Sequence, residues 1–339
     1  MLRKLLIAII TATAISGCIS GDEYDNSYNG NFEALWKVVD EHYCFFEIAG
    51  KEYGLNWDNV YHKYKSATDT CKNDAELFAT LGDMLGELRD GHVNLASIYG
   101  TSYYWNWQLD YPINFSDSIQ RNYLGNDFIL TNGIKYTTLT DSIGYAYCES
   151  FSGGLNINNL SMMLLGLKEC KGLILDIRNN GGGLLTLSDR IASRFTNEKL
   201  LTGYLSYKTG PGHSDFSSPE PIYVEPATDR VRWQKPVAIL TNRRSYSSTN
   251  DFVGKMKQMP QAIIIGDKTG GGSGLPFSSE LPNGWSVRFS ASPMYDPDMQ
   301  HQEFGIDPDI KVDMTSEDMQ EGIDTIIETA RKQLKNKKI

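Results

Sequence analysis

The sequence predicts an α/β protein: a layered, largely parallel sheet preceded by a small helical N-terminal domain. Three observations carry that prediction. Residues 31–90 place apolar side chains at helical spacing. From residue 143 onward, short apolar runs alternate with helical patterns, the signature of βα units. Glycine-rich or serine-rich turns follow three of those apolar runs, where strand gives way to helix or loop.

The helical region reads as "NFEALWKVVDEHY", "WDNVYHKYKSA" and "DAELFATLGDMLGEL", and "RDGHVNLASIYG" closes it with a turn and a short strand. This bounds an N-terminal domain at 31–98. Residues 99–140 are aromatic and alternating, and predict a small β-rich connection. A catalytic domain then spans 141–339. "IGYAYCES", "GLILDI", "PVAILTN" and "AIIIGD" are its strands, and "INNLSMMLLGLKEC", "GLLTLSDRIASRF" and "STNDFVGKMKQM" its helices. "SSELPNGWSVRFSAS" predicts a hairpin turning at "PNG". "SEDMQEGIDTIIETARKQL" predicts one amphipathic C-terminal helix with Ile323, Ile326, Ile327 and Ala330 on a single face.

Composition narrows the function. The chain has 339 residues, 40% of them hydrophobic and 22% charged, enough for a substantial core. A net charge of -10, with no long basic stretch, argues against nucleic acid as a partner. No cofactor fingerprint is present: neither GxGxxG nor the P-loop lysine pattern occurs. Cys44, Cys71, Cys148 and Cys170 lack CxxC or Cys/His spacing, so no metal is expected. The pairs Cys44–Cys71 and Cys148–Cys170 and four free thiols are open alternatives.

The N-terminus, "MLRKLLIAIITATAISGC", has two basic residues, an apolar run and small residues before Cys18. That is a secretory signal over residues 1–17, too short for a stable span. "ISGC" resembles a bacterial lipobox, which implies cleavage before Cys18 and acylation of its thiol. Residues 18–30 then form a polar tether, and the protein is expected in the cell envelope, held to the outer membrane by lipid.

Chemistry in such sheets gathers at the carboxyl ends of strands. "LILDIRNNGGG" frees backbone N–H groups to face a ligand, or is a plain tight turn. "ILTNRRSYSSTNDF" sets Ser245, Ser247 and Ser248 at a strand-to-helix turn. A serine there either caps the helix or presents its hydroxyl for acyl transfer. "IIGDKTGGGSG" would let an extended substrate backbone come close. A serine nucleophile needs a base. Of the five histidines, His42 and His62 sit in helical patterns, and His213 and His301 in polar loops; only His92 lies in a glycine-flanked turn.

Taken together, "LRDGHVNL", "LILDIRNNGGG", "AILTNRRSYSSTNDF", "IIGDKTGGG" and "EFGIDPDI" resemble, in order, the motifs of the C-terminal processing peptidases and their tricorn-type relatives. The resemblance implies a crotonase-like layered catalytic domain and peptide-bond hydrolysis of a peptide or protein substrate. The processing-peptidase lysine of "GxxTxGK" would fall on Gly272, so the Ser–Lys pairing is absent and the chain looks tricorn-type, with Lys268 as the nearest competing lysine. Carried over residue by residue, Ser247 is the nucleophile, His92 the general base, and Glu303 the acid that orients it. The oxyanion hole is the N–H of Gly182 and of Ser248. Asn250 stands where many relatives have Glu, and the short 101–138 stretch leaves no room for a PDZ insert of usual size. Two other readings compete. One is a non-catalytic, peptide-binding relative; the other is an acyl-CoA enzyme, which an export signal disfavours.

Overall fold

The computed structural model describes residues 24–336 apart from Gly153, Asn156 and Asp229; the expected signal segment and Cys18 lie outside the described residues. The chain opens with four helices, α1 (Tyr28–His42), α2 (Phe46–Tyr53), α3 (Trp57–Thr68) and α4 (Asp74–Gly86). Polar caps start three of them: Ser27, Asn56 and Asn73 accept the N–H of Gly30, Asn59 and Glu76. Then come β1 (Asn94–Ser97), β2 (Gly100–Thr101), α5 (Asp117–Leu124), β3 (Ile129–Thr131), β4 (Ile134–Thr138) and β5 (Ile143–Cys148). The alternating part runs α6 (Ile157–Gly166), β6 (Gly172–Asp176), α7 (Leu185–Ala192), β7 (Leu200–Leu205), β8 (Glu220–Val224), β9 (Val237–Thr241), α8 (Ser248–Met256) and β10 (Ala262–Gly266). The chain closes with β11 (Leu275–Glu280), β12 (Ser286–Ser292), β13 (Met294–Tyr295), β14 (Ile310–Lys311), α9 (Ser316–Gln320) and α10 (Thr325–Asn336).

The main sheet has seven strands in the order β14-β10-β9-β6-β5-β4-β3. The pairs from β14 through β5 are parallel, and β4 and β3 add antiparallel strands at one edge. Strand residues alternate between two cores. Leu173, Leu175, Val237, Ile239 and Ile264 pack with side chains of α6, α7 and α8. Ile174, Ala238, Leu240 and Ile265 pack against α5 and α10. Both faces are therefore covered, which is why these strands read as unbroken apolar runs. Each buried leucine, isoleucine or valine among these contributes about 1.5–3 kcal/mol.

The helical N-terminal region does not close its core by itself. Phe32, Leu35, Leu81 and Leu85 pack with Leu281, Trp285, Val287 and Phe289 of the β11–β12 hairpin. β1 completes the joint by pairing antiparallel with β12. The four strands form a separate sheet in the order β11-β12-β1-β2.

Several expectations need correction. The 99–140 stretch contains a helix, α5, capped by Ser116, and its strands β3 and β4 extend the main sheet rather than standing apart. The C-terminal helix is two helices. Gly322 takes φ +73°, which ends α9, and Asp324 caps α10 by accepting the N–H of Ile326 and Ile327. A three-stranded sheet, β13-β7-β8, has no counterpart in the sequence reading. All four described cysteines are free thiols.

Candidate active site

The carboxyl ends of β6, β9 and β10 lie side by side, and their turns lock together. Tyr246 N–H donates to Asn180 O at 3.0 Å, Ser247 N–H to Gly271 O at 2.8 Å, and Gly270 N–H to Ser245 O at 2.8 Å. The serine turn thus sits between the two glycine-rich turns. Close approach explains the glycines. A Cβ on Gly182 would lie 2.7 Å from Tyr246 O, and one on Gly271 1.7 Å from Glu303 O.

Ser247 holds φ 61° and ψ −127°, a region that non-glycine residues rarely enter and that costs about 1–3 kcal/mol. Its side chain makes no cap bond with α8. Its Oγ instead lies 2.9 Å from His92 Nε2. The neighbouring serines do other things. Ser245 Oγ donates to Ile177 O at 2.9 Å and accepts the Asn242 N–H at 3.2 Å, which braces the turn. Ser248 Oγ is buried without a partner among the described residues.

His92 arrives from the turn between α4 and β1. Asp90 Oδ1 accepts its backbone N–H at 2.7 Å, and Asn94 Nδ2 donates to its carbonyl at 2.9 Å. Its ring packs against Tyr246, with centroids 4.8 Å apart, and Tyr246 stacks on Trp107 at 4.4 Å. Burial lowers the His92 pKa below the ordinary histidine value; the charge of Asp90 opposes this and that of Arg288 adds to it. The ring is therefore neutral near pH 7, the state a base requires.

Glu303 is buried beside the glycine turn. Its carboxylate accepts the Ser273 N–H at 2.7 Å, and its carbonyl accepts the Gly272 N–H at 3.0 Å. Burial, and then the charge of Asp90, push its carboxyl well above the usual range. The orienting bond to His92 is not formed here: His92 Nδ1 is buried with no hydrogen-bond partner among the described residues. Of the two oxyanion donors expected, Gly182 N–H is engaged by Asn180 Oδ1 at 3.0 Å. The Ser248 N–H stands in the first turn of α8, where the helix field favours negative charge.

Four residues of this site escaped sequence reasoning. Asp90 fixes the His92 backbone, and Tyr246 and Trp107 support the ring. Asn180 joins the turns by accepting from Thr249 Oγ1 at 2.7 Å and donating to Cys148 O at 3.0 Å. Asp90, Asn180 and Tyr246 all fall inside the motifs quoted above, one or two residues from a predicted site residue. Trp107 lies in a stretch with no such signal. Arg243 is structural: its guanidinium donates to the carbonyls of Trp107, Thr269 and Phe304. The other histidines pack elsewhere, His42 on Phe277, His62 on Tyr61, His213 on Phe46 and His301 on Tyr295.

A strained serine at a strand-to-helix turn, facing a neutral histidine, is the arrangement of a serine hydrolase. The Peptidase family S41 profile matches residues 142–312, and the Tricorn protease C1 domain profile matches residues 24–86. The chain belongs to peptidase family S41, a family of serine-type peptidases. It is 55% identical to a putative peptidase from Parabacteroides merdae, whose crystal structure superposes with a TM-score of 0.86 over 91% of this chain and 97% of that one. It is 30% identical over 174 residues to a putative Tricorn-like protease C-terminal subunit from Sulfurisphaera tokodaii, covering 49% of this chain and 18% of that protein. It is 29% identical over 173 residues to a carboxyl-terminal-processing protease from Synechocystis, covering 50% of this chain and 37% of that protein. The matched region thus spans well under half the length of these two curated relatives.

Proposed function

We propose that this chain is a serine endopeptidase or processing peptidase that cleaves peptide or protein substrates through an acyl-enzyme on Ser247. The observation that carries this reading is the 2.9 Å approach of His92 Nε2 to Ser247 Oγ, with the serine side chain free of any capping role. Oγ attacks the scissile carbonyl carbon while His92 takes its proton. The Ser248 N–H stabilises the resulting oxyanion. The Gly182 N–H joins it by exchanging the neutral Asn180 acceptor for a charged one, which makes the stronger bond. The intermediate collapses, His92 returns the proton to the leaving amine, and water deprotonated by His92 then releases the acyl group. Asp90 supplies the charge that stabilises the imidazolium, and Glu303 is assigned to orient the ring once Nδ1 carries charge. We read the sheet, covered by helices on both faces, as crotonase-like.

Export and lipid anchoring at Cys18 complete the proposal, placing the enzyme in the bacterial cell envelope on its outer membrane. Among the described residues no helix is long and apolar enough to cross a membrane. Unchanged lipid labelling of a Cys18→Ser protein would remove this part.

A fluorophosphonate probe tests the chemistry. Peptide mapping should find the label on Ser247. Ser247→Ala should lose both label and hydrolysis while circular dichroism is unchanged, whereas Ser245→Ala and Ser248→Ala keep measurable activity. A folded protein that takes no label on any serine would instead support a second reading, a peptide-binding relative without activity. The engaged Gly182 N–H and the unpartnered His92 Nδ1 are the observations in its favour.

A further inference from the structure

The sheet formed by β11, β12 and β1 has two unlike faces. Leu95, Val287 and Phe289 point into the helical core. Asn94, Arg288 and Ser290 therefore lie on the opposite face, because strand side chains alternate. That face leads into the active site. Ser290 Oγ donates to Asp90 Oδ2 at 3.2 Å, and Asn94, directly opposite Arg288 in the antiparallel register, donates to the His92 carbonyl at 2.9 Å. Two residues along β12 from Ser290, Arg288 stands exposed on the same face. Its guanidinium forms no ion pair with any described carboxylate. Glu280 shares this face of β11, opposite Ser286, but does not pair with it. Arg288 is also close enough to act electrostatically on the His92 ring.

Two other arginines around the site are committed, while Arg244, next to the serine turn, is exposed with no side-chain partner among the described residues. Arg243 serves three backbone carbonyls, and Arg89 lies over the Tyr53 ring at 4.6 Å. Arg288 is thus an exposed cation beside the base with no ion-pair partner among the described residues. A guanidinium offers a planar fork of donors suited to one ligand group above others, a carboxylate.

We propose that Arg288 is a specificity residue of the substrate cleft, which binds a carboxylate of the peptide as it lies across the β12–β1 face toward Ser247. The carboxylate is an acidic side chain near the scissile bond or the free C-terminus of the substrate. This inference rests on the peptidase reading above.

The test uses the full chain and matched peptides. One set places Asp or Glu, against Asn or Gln, at each position around the cleavage site; a second set ends in a free acid or an amide. The wild-type protein should favour carboxylate peptides by about tenfold in kcat/KM, the scale of one charge-assisted hydrogen bond at a partly exposed site. Preference in the first set identifies a side chain, and preference in the second a chain terminus. Arg288→Gln should abolish the preference, chiefly through KM, and Arg288→Lys should restore part of it. Arg288→Gln should also move the acidic limb of the pH–rate profile upward, because loss of a nearby positive charge makes His92 easier to protonate. Equal rates for charged and neutral wild-type substrates, or an Arg288→Gln effect of equal size on both, would overturn the assignment. Fluorescence anisotropy with the same peptides and Ser247→Ala protein separates this from failure of the peptidase reading. If nothing is cleaved but acid peptides still bind about tenfold tighter than amides or neutral analogues, Arg288 keeps its role; if they bind alike, it does not.

Discussion

Gly272 and His92 exclude one another's side chains: a Cβ at position 272 would lie 2.8 Å from His92 Cε1 and 2.5 Å from the Tyr246 ring. The histidine ring thus fills the space into which a side chain at 272 would project. Gly272 also holds φ +77°, so any side chain there is strained as well as obstructed. Gly272→Ala should lower kcat by about a hundredfold, the scale of losing a general base. On a His92→Ala background the same change should cost little more, because the ring it would displace is already gone. Additive losses in kinetic measurements of the four proteins would contradict this account.

The acidic limb of the kcat/KM profile should lie below the ordinary histidine value of about 6.5, since burial disfavours the charged ring. Asp90 works in the opposite sense by stabilising the protonated form. Asp90→Asn keeps an oxygen for the His92 N–H and removes the charge, so the limb should move to still lower pH. An upward movement would show that the Asp90 charge does not act on this ring.

Trp107 touches neither Ser247 nor His92 directly in the stack but backs Tyr246, which packs on the histidine ring. An aromatic contact of this kind contributes about 0.5–1.5 kcal/mol beyond burial. Trp107→Ala should therefore lower kcat roughly two- to tenfold with a smaller change in KM, and Trp107→Phe should recover most of the loss. Equal kcat in all three proteins would remove Trp107 from the support of the base.

Arg178 is fully buried between two carboxylates. Its guanidinium bonds Asp176 at 2.6 Å and Asp324 at 2.9 Å, and so ties β6 to the cap of α10. Removing one partner leaves a buried charge uncompensated, at about 3–5 kcal/mol. Asp324→Ala should lower the unfolding free energy by about that amount in a denaturant titration, with loss of the α10 cap included. A change below about 1 kcal/mol would mean that water or a neighbour replaces the carboxylate, as it does at exposed ion pairs.

The elements on which Ser247 stands were legible in the sequence because local chemistry dictates them. The apolar run of β9 requires burial on two faces, and the polar turn that follows starts a helix of clear periodicity. The strain at Ser247 was not legible, since a φ of 61° leaves no mark on residue type when the residue is serine. Nor was the partnership of β1 with β12, which depends on strands far apart in sequence. The aromatic stretch containing Trp107 read as strand because aromatic residues favour strands, yet there it supplies a lining to the active site. β7 and β8 were missed because a polar loop separates them and the exposed face of β8 shows no clean alternation. The break between α9 and α10 was present as Gly322, but the amphipathic pattern runs through it and outweighed a single glycine.

Ser247 and His92 are 155 residues apart in the chain, and β1, the strand that follows the histidine's turn, is held in its sheet by β12. A growing polypeptide therefore carries the serine for some forty residues before the partner strand of the base exists. Under the proposed mechanism, hydrolytic competence therefore comes late, and the order of synthesis acts as a safety catch: the serine is made well before the strand that holds its base in place.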